Sequence, residues 1–208
     1  MNPFQLPAQL LPDAHPELAR ASLFNRPAGY GPGCMSVEEA EFISALVRIV
    51  KPKMALETGC EGGLTTVAIA RALHDNNLGT LYTVENDDRW IAHTRTNLLA
   101  LNLASRVLLA RSDSLNFIEA CDRSQVGFDF ALLDSSIPTR LLEFDALLRN
   151  DLLNAGAWIA LHDTAPDHPM RGGCELFPDF VARQPYASRV RFLELPSPRG
   201  LLIAQVKP

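Results

Sequence analysis

Five apolar runs, Met54 to Leu56, Leu81 to Val84, Val107 to Ala110, Phe128 to Leu133 and Ala157 to Leu161, are each followed by a polar turn and a longer amphipathic stretch. Short apolar runs alternating with helical patterns read as parallel strands joined by crossover helices, with both faces of the sheet covered. The pattern changes at the end of the chain. Arg189 to Leu195 and Leu201 to Val206 are joined only by Pro196-Ser197-Pro198-Arg199-Gly200, which leaves no room for a crossover helix, so this pair must be an antiparallel hairpin. The expected fold is therefore α/β, a doubly wound sheet of seven strands, mostly parallel with an antiparallel C-terminal hairpin. Ahead of the first strand, Ser36-Val37-Glu38-Glu39 supplies a capping box for a helix with Phe42, Ala45, Leu46 and Ile49 on one face, stopping near Pro52.

A chain of 208 residues with 47% hydrophobic content is enough for one core and close to the limit for two. Residues 34 to 208 are expected to form a single domain. Residues 1 to 33 carry Pro3, Pro7, Pro12, Pro16, Pro27 and Pro32 and read as an irregular arm or lid with one short helix near Pro16 to Phe24, or as the arm of a homodimer. The net charge is -5 and lysine occurs only at 51, 53 and 207, so no basic stripe tracks a phosphate backbone and nucleic acid is not expected as a partner. No basic-then-apolar leader and no run of roughly 18 apolar residues occurs, so a soluble, cytoplasmic protein without a membrane partner is expected. Cys34, Cys60, Cys121 and Cys174 form no C-x-x-C pair and read as reduced thiols, some of them buried.

Doubly wound sheets hold ligands outside the carboxyl ends of their strands. Here those ends carry Glu57, Glu85, Asp113, Asp134 and His162-Asp163. Any one acid would serve as a helix cap; five on one rim point to a ligand. The turn after the first strand, Ala55 to Thr66 (ALETGCEGGLTT), has glycines at Gly59, Gly62 and Gly63 but no P-loop lysine and no G-x-G-x-x-G spacing. Glu57 sits where a diphosphate would meet a carboxylate, so a cationic or hydroxyl-rich ligand suits the turn better.

Glu57-x-Gly59-x-x-x-Gly63-x-Thr65-Thr66 resembles motif I of class I S-adenosylmethionine-dependent methyltransferases. Leu81 to Glu85 is similar to that family's second strand with its ribose-binding acid, Arg111 to Ser114 to the segment that meets the adenine, and Phe128 to Asp134 to motif IV. Leu152 to Thr164 resembles a segment of the small O-methyltransferases. The resemblance implies a Rossmann-like methyltransferase domain over residues 34 to 208 and a cofactor site of Glu57, Gly59, Gly63, Thr65, Glu85, Asn86, Ser112, Asp113 and Asp134. The cofactor has a sulfonium, an amino acid tail, a ribose diol and no phosphate, which acids and glycines accommodate. Trp90 is read as core packing in preference to adenine stacking.

The methyl acceptor must lie in line with the S–CH3 bond and, if a hydroxyl, lose its proton. Asp134 and Asp163 should end neighbouring parallel strands, where two converging carboxylates favour a cation between them. In catechol-type members the matching aspartates bind a divalent metal such as Mg2+. Those members also carry a lysine and an asparagine where this chain has Ile137 and Thr164. The departure leaves His162 or His168 as the alternative base, or makes His162 a third metal ligand with Asp134 and Asp163 that favours Mn2+; a packed His162 with no metal is the other reading. Asp163 to Cys174 is the expected specificity loop, in which Arg171 either recognises an acidic acceptor or is simply solvated, and Met35 is expected to close over the cofactor. The expected activity is O-methylation of a small-molecule hydroxyl, with Asp134, His162 and His168 as candidate catalytic residues. A catalytically inactive cofactor-binding protein and a nicotinamide-dependent oxidoreductase stay open as alternatives.

Overall fold

Strands β1 (Met54–Thr58), β2 (Thr80–Glu85), β3 (Val107–Arg111), β4 (Phe128–Leu133), β5 (Leu153–His162), β6 (Val190–Leu195) and β7 (Leu201–Val206) form one sheet in the order β3-β2-β1-β4-β5-β7-β6. The first five run parallel, and β7 pairs antiparallel with both β5 and β6. These contacts come from a computed structural model that describes residues 35–169 and 172–208. The expected arm, its short helix, Cys34 and Arg171 lie outside the described residues. Strand order reverses between β1 and β4, and the crevice that opens at such a reversal is where this fold class receives ligands.

Helices α1 (Val37–Val50), α2 (Leu64–Asp75), α3 (Asp88–Ala100), α4 (Ser114–Ala120), α5 (Ile137–Arg149) and α6 (Phe177–Ala182) cover the sheet. Side chains alternate between the faces of each strand, so Ala55, Phe130, Leu132 and Ala160 join α1 and α2 in one buried cluster, while Leu56, Ala131, Leu133, Ile159 and Leu161 join α4, α5 and α6 in another. The capping box at Ser36 and Glu39 forms as expected, with hydrogen bonds of 3.2 and 2.9 Å, and α1 ends at Lys51 in a left-handed conformation just before Pro52.

The buried face of α1 is not the expected one. Ala40, Ile43 and Val47 face the sheet with Glu39 and Ser44, whereas Phe42 is 41% and Ile49 79% exposed. Two overlapping apolar stripes run along this helix, and the one with the small Ala40 allows the close packing against α2 and the sheet. Cys60 is buried, and Cys60, Cys121 and Cys174 are all free thiols. Among the described residues no helix is long and apolar enough to cross a membrane.

Candidate active site

A cavity of about 590 Å³ lies over the carboxyl ends of β1, β2, β3, β4 and β5. Its floor is the turn after β1. Gly59 adopts φ +77, and a Cβ there would stand 2.6 Å from the Asp134 carbonyl oxygen, so only glycine lets this turn approach β4. Gly63, at φ +81, is the N-cap of α2, where a Cβ would meet the Thr94 hydroxyl at 2.9 Å. It supports the turn and does not line the cavity.

Glu57 is fully buried behind that turn, and its carboxylate accepts from the hydroxyls of Thr65 at 2.5 Å, Thr66 at 2.6 Å and Thr83 at 2.8 Å. Burial pushes its pKa up to about 7 against the pull of these three hydroxyls. The expectation that Glu57 joins an acidic rim is thus corrected. Glu57 stands level with Thr83 of β2 and Leu132 of β4, below the strand ends, where it binds the loop together while only Thr65 of this group lines the cavity.

Glu85 ends β2 and does face the cavity. One carboxylate oxygen accepts from the Asn86 and Asp87 N–H groups at 2.8 and 2.9 Å, and the other from Cys60 N–H at 3.1 Å. Asn86, Ser112 and Asp113 line the same wall, with Asp113 capping α4 through Asn116 N–H at 3.0 Å. Trp90 is 8% exposed yet also forms part of this wall, so it packs and lines the site at once. Met35 lies on the cavity as expected.

On the other side, the ends of β4 and β5 build a cluster of charges. Asp134, His162 and Asp163 each offer one ligand-type atom within 4.8 Å of the others. Arg140, from the first turns of α5, reaches Asp134 and Asp163 at 3.0 Å each and donates to the His162 carbonyl at 2.5 Å. Arg199, from the β6–β7 loop, donates to Asp163 at 2.6 Å, and its own carbonyl accepts from Ala165 N–H, which ties the hairpin to the loop after β5. Asp163 holds a left-handed backbone, φ 57, a conformation that costs a non-glycine residue energy and is retained where surrounding contacts enforce it. Burial pushes the Asp163 carboxyl up, but the Arg199 hydrogen bond and the charges of His162, Arg140 and Arg199 outweigh it and hold the pKa at about 2.

His162 is fully buried and does not line the cavity. Its Nδ1 lies 3.0 Å from Asp134 and 3.4 Å from Asp163, and its Nε2 lies 3.6 Å from Glu39 of the capping box. Burial lowers its pKa, but the Asp134 contact, Glu39 and Asp163 more than reverse that and push it up to about 9. The expectation of His162 as a general base is corrected accordingly: it is buried away from the cavity, its neighbouring carboxylates favour its charged form, and it faces α1 on the same side of the sheet as Glu57. His168 is 8% exposed, stands 3.3 Å from Asp163, has its pKa lowered by burial and does not line the cavity either. Within the described part of the expected specificity loop, Asp163 alone lines the main cavity.

Three residues of the cluster escaped the sequence reading: Arg140, Arg199 and Glu39. Arg140 lies near the N-terminus of a helix that follows a candidate acid, which was a usable signal. Arg199 meets Asp163 across a separation of 36 residues that no local pattern reports.

The chain and its fold have counterparts among known proteins. Residues 56–164 match the family model described as a methyltransferase domain, just over half of the chain. The chain belongs to this methyltransferase-domain family. A catechol O-methyltransferase from Niastella koreensis is 28% identical over 116 residues, 55% of this chain and 52% of that protein, so the match spans about half the length of the curated relative. The structure of an O-methyltransferase from Bacillus cereus in complex with SAH is similar with a TM-score of 0.76 and 25% identity, covering 95% of this chain and 93% of that one. TomG of Streptomyces achromogenes, an O-methyltransferase solved with SAM, shares the fold with a TM-score of 0.79 and 22% identity, covering 96% and 93% of the two chains. The seven-stranded sheet is as expected, its parallel part from the alternation of runs and its antiparallel hairpin from the short connection between the last two.

Proposed function

We propose that this chain transfers a methyl group from S-adenosylmethionine to a hydroxyl of a small molecule. The observation that carries the reading is Glu85, a carboxylate held by three backbone N–H groups at the edge of a cavity of ligand size. Held this way it stays oriented toward the cavity and suits the two hydroxyls of a ribose. Gly59 supports the same reading, since the turn leaves the cofactor's amino acid end a backbone surface free of side chain. Ser112 and Asp113 are the groups placed for the adenine edge, and Trp90 for its face.

When bound, the cofactor supplies an electrophilic sulfonium methyl: an O–C bond forms to the acceptor, the S–C bond breaks with its electron pair left on sulfur, and the acceptor loses its hydroxyl proton. Asp134 is the group of this chain best placed to take that proton. Its Oδ1 is fixed by Arg140 and His162 at 3.0 Å each, while no hydrogen bond among the described residues engages Oδ2. A carboxylate clamped through one oxygen keeps the other oriented for proton transfer. Ile137 and Pro138 give the acceptor wall an apolar surface that excludes water. His162 acts through Asp134.

Isothermal titration with S-adenosylhomocysteine tests the reading, and saturable binding that Glu85→Ala abolishes is the expected result. Absence of binding in wild type would overturn it, and a thermal shift with NAD and none with the sulfonium would favour the oxidoreductase. Binding without transfer to any member of a hydroxyl, amine and thiol panel would leave a cofactor-binding protein without catalysis.

A further inference from the structure

The buried charges at the ends of β4 and β5 form a network in which His168 also stands 3.3 Å from Asp163. Asp134, Asp163 and Glu39 are the acids; Arg140, Arg199 and the imidazole between Asp134 and Glu39 face them. Arg140 is the centre of the arrangement, with a side chain only 7% exposed and its guanidinium bridging both aspartates at 3.0 Å. A planar fork with two nitrogens directed at two carboxylates places positive charge between converging acids, as a cation would, and occupies one acceptor oxygen of each.

We propose that Arg140 takes the place of a divalent cation in this site, so that the chain holds its paired aspartates and performs its chemistry without a metal. The statement about chemistry rests on the methyltransferase reading above; the statement about the cluster does not. The donor set does not fit a metal as it stands. Both oxygens of Asp163 are committed to guanidinium groups, Oδ2 to Arg140 and Oδ1 to Arg199, and Nδ1 of His162 is directed at Asp134 Oδ1, which Arg140 also holds. A metal bound by Asp134, His162 and Asp163 would have to expel a buried Arg140 from three acceptors, including the His162 carbonyl, and leave its charge unpaired in the interior. Arg140 is fixed on the near end of α5, with its own N–H on Ser136 O at 3.1 Å.

The test uses the whole protein and MnCl2 or MgCl2 alone. Wild type is expected to leave the free Mn2+ resonance signal unchanged and to show no saturable heat, and turnover is expected to be equal in EDTA. Stoichiometric Mn2+ binding by wild type that Asp134→Asn removes, or loss of turnover in EDTA that Mn2+ restores, overturns the proposal. Arg140→Met frees the aspartates; it is expected to lower the melting temperature and to gain saturable Mn2+ binding that restores part of it, and a folded Arg140→Met protein with no affinity for Mn2+ also overturns the proposal. Should that variant not fold, Arg140→Lys keeps the charge and is expected to fold and to exclude Mn2+, while Mn2+ binding by it would count against the stand-in role. S-adenosylhomocysteine titrated into the same samples separates the two readings, because its failure to bind sinks the cofactor assignment and leaves the metal result standing.

Discussion

Gly59 and Asp134 stand so close that a Cβ on the glycine would lie 2.6 Å from the aspartate's carbonyl oxygen, with the carbonyl carbon at 3.0 Å. The turn that forms the cavity floor and the strand end that carries the proposed base are thus in backbone contact. Neither can shift alone.

Gly59→Ala should therefore act at both. The methyl group collides with backbone and the native φ of +77 is strained for alanine, together about 1–3 kcal/mol. Affinity for S-adenosylhomocysteine should fall roughly 10- to 100-fold at that cost, measured by titration calorimetry. Unchanged affinity would mean that the turn does not meet the cofactor.

Asp134→Asn should separate binding from chemistry. Cofactor affinity is expected to stay close to wild type, since Glu85, Gly59 and the adenine wall are untouched, while kcat falls about 10²- to 10⁴-fold for loss of a general base. A variant that retains full kcat would exclude Asp134 as the proton acceptor.

Stability should depend on pH in a defined direction. Glu39 and Asp163 are held at about 2, below their ordinary values of 4.5 and 3.8, so their contribution is present above about 4.5 and is lost as pH falls through 2. Glu57 is raised from 4.5 to about 7, so the unfolded chain ionises first and stability declines across that interval. His162 is raised from 6.5 to about 9, and its contribution is complete below 6.5 and lost as pH rises through 9. The melting temperature should be greatest near the bottom of the 4.5–6.5 interval and fall toward pH 9. A scanning fluorimetry series checks this, with Glu57→Gln flattening the 4.5–7 limb; a melting temperature that rises from pH 6 to 9 would contradict it.

The sheet was legible because its strands are separate apolar runs and because Pro196 to Gly200 is too short to be anything but a hairpin loop. Glu85, Asp113 and Asp134 were legible as acids at strand ends, each of which lines the cavity. Glu57 and His162 look identical to them in one dimension, but Glu57 pairs level with Thr83 and Leu132, two residues below Glu85 and Asp134, and His162 is buried against Glu39 of α1. Arg140 and Arg199 were not legible as a clamp, since they reach partners 22 and 36 residues away along the chain through packing that no local period encodes. The apolar stripe of α1 was misjudged for a related reason: Phe42 and Ile49 are as hydrophobic as the buried Ile43 and Val47, and the neighbouring elements decide between them.

The sheet order places β7 between β5 and β6, although β6 comes first in the chain. β6 therefore has no hydrogen-bonded route onto the sheet except through β7, and the hairpin must arrive as one piece. Its loop brings Arg199 to Asp163 and hydrogen-bonds the segment after β5 through Gly200 and Arg199 carbonyls. Docking of the hairpin then closes the open edge of β5 and delivers Arg199 to Asp163 in one event, a contact 36 residues long in sequence. During refolding, recovery of cofactor binding should lag behind recovery of helix, and simultaneous recovery of the two would mean that the hairpin docks early.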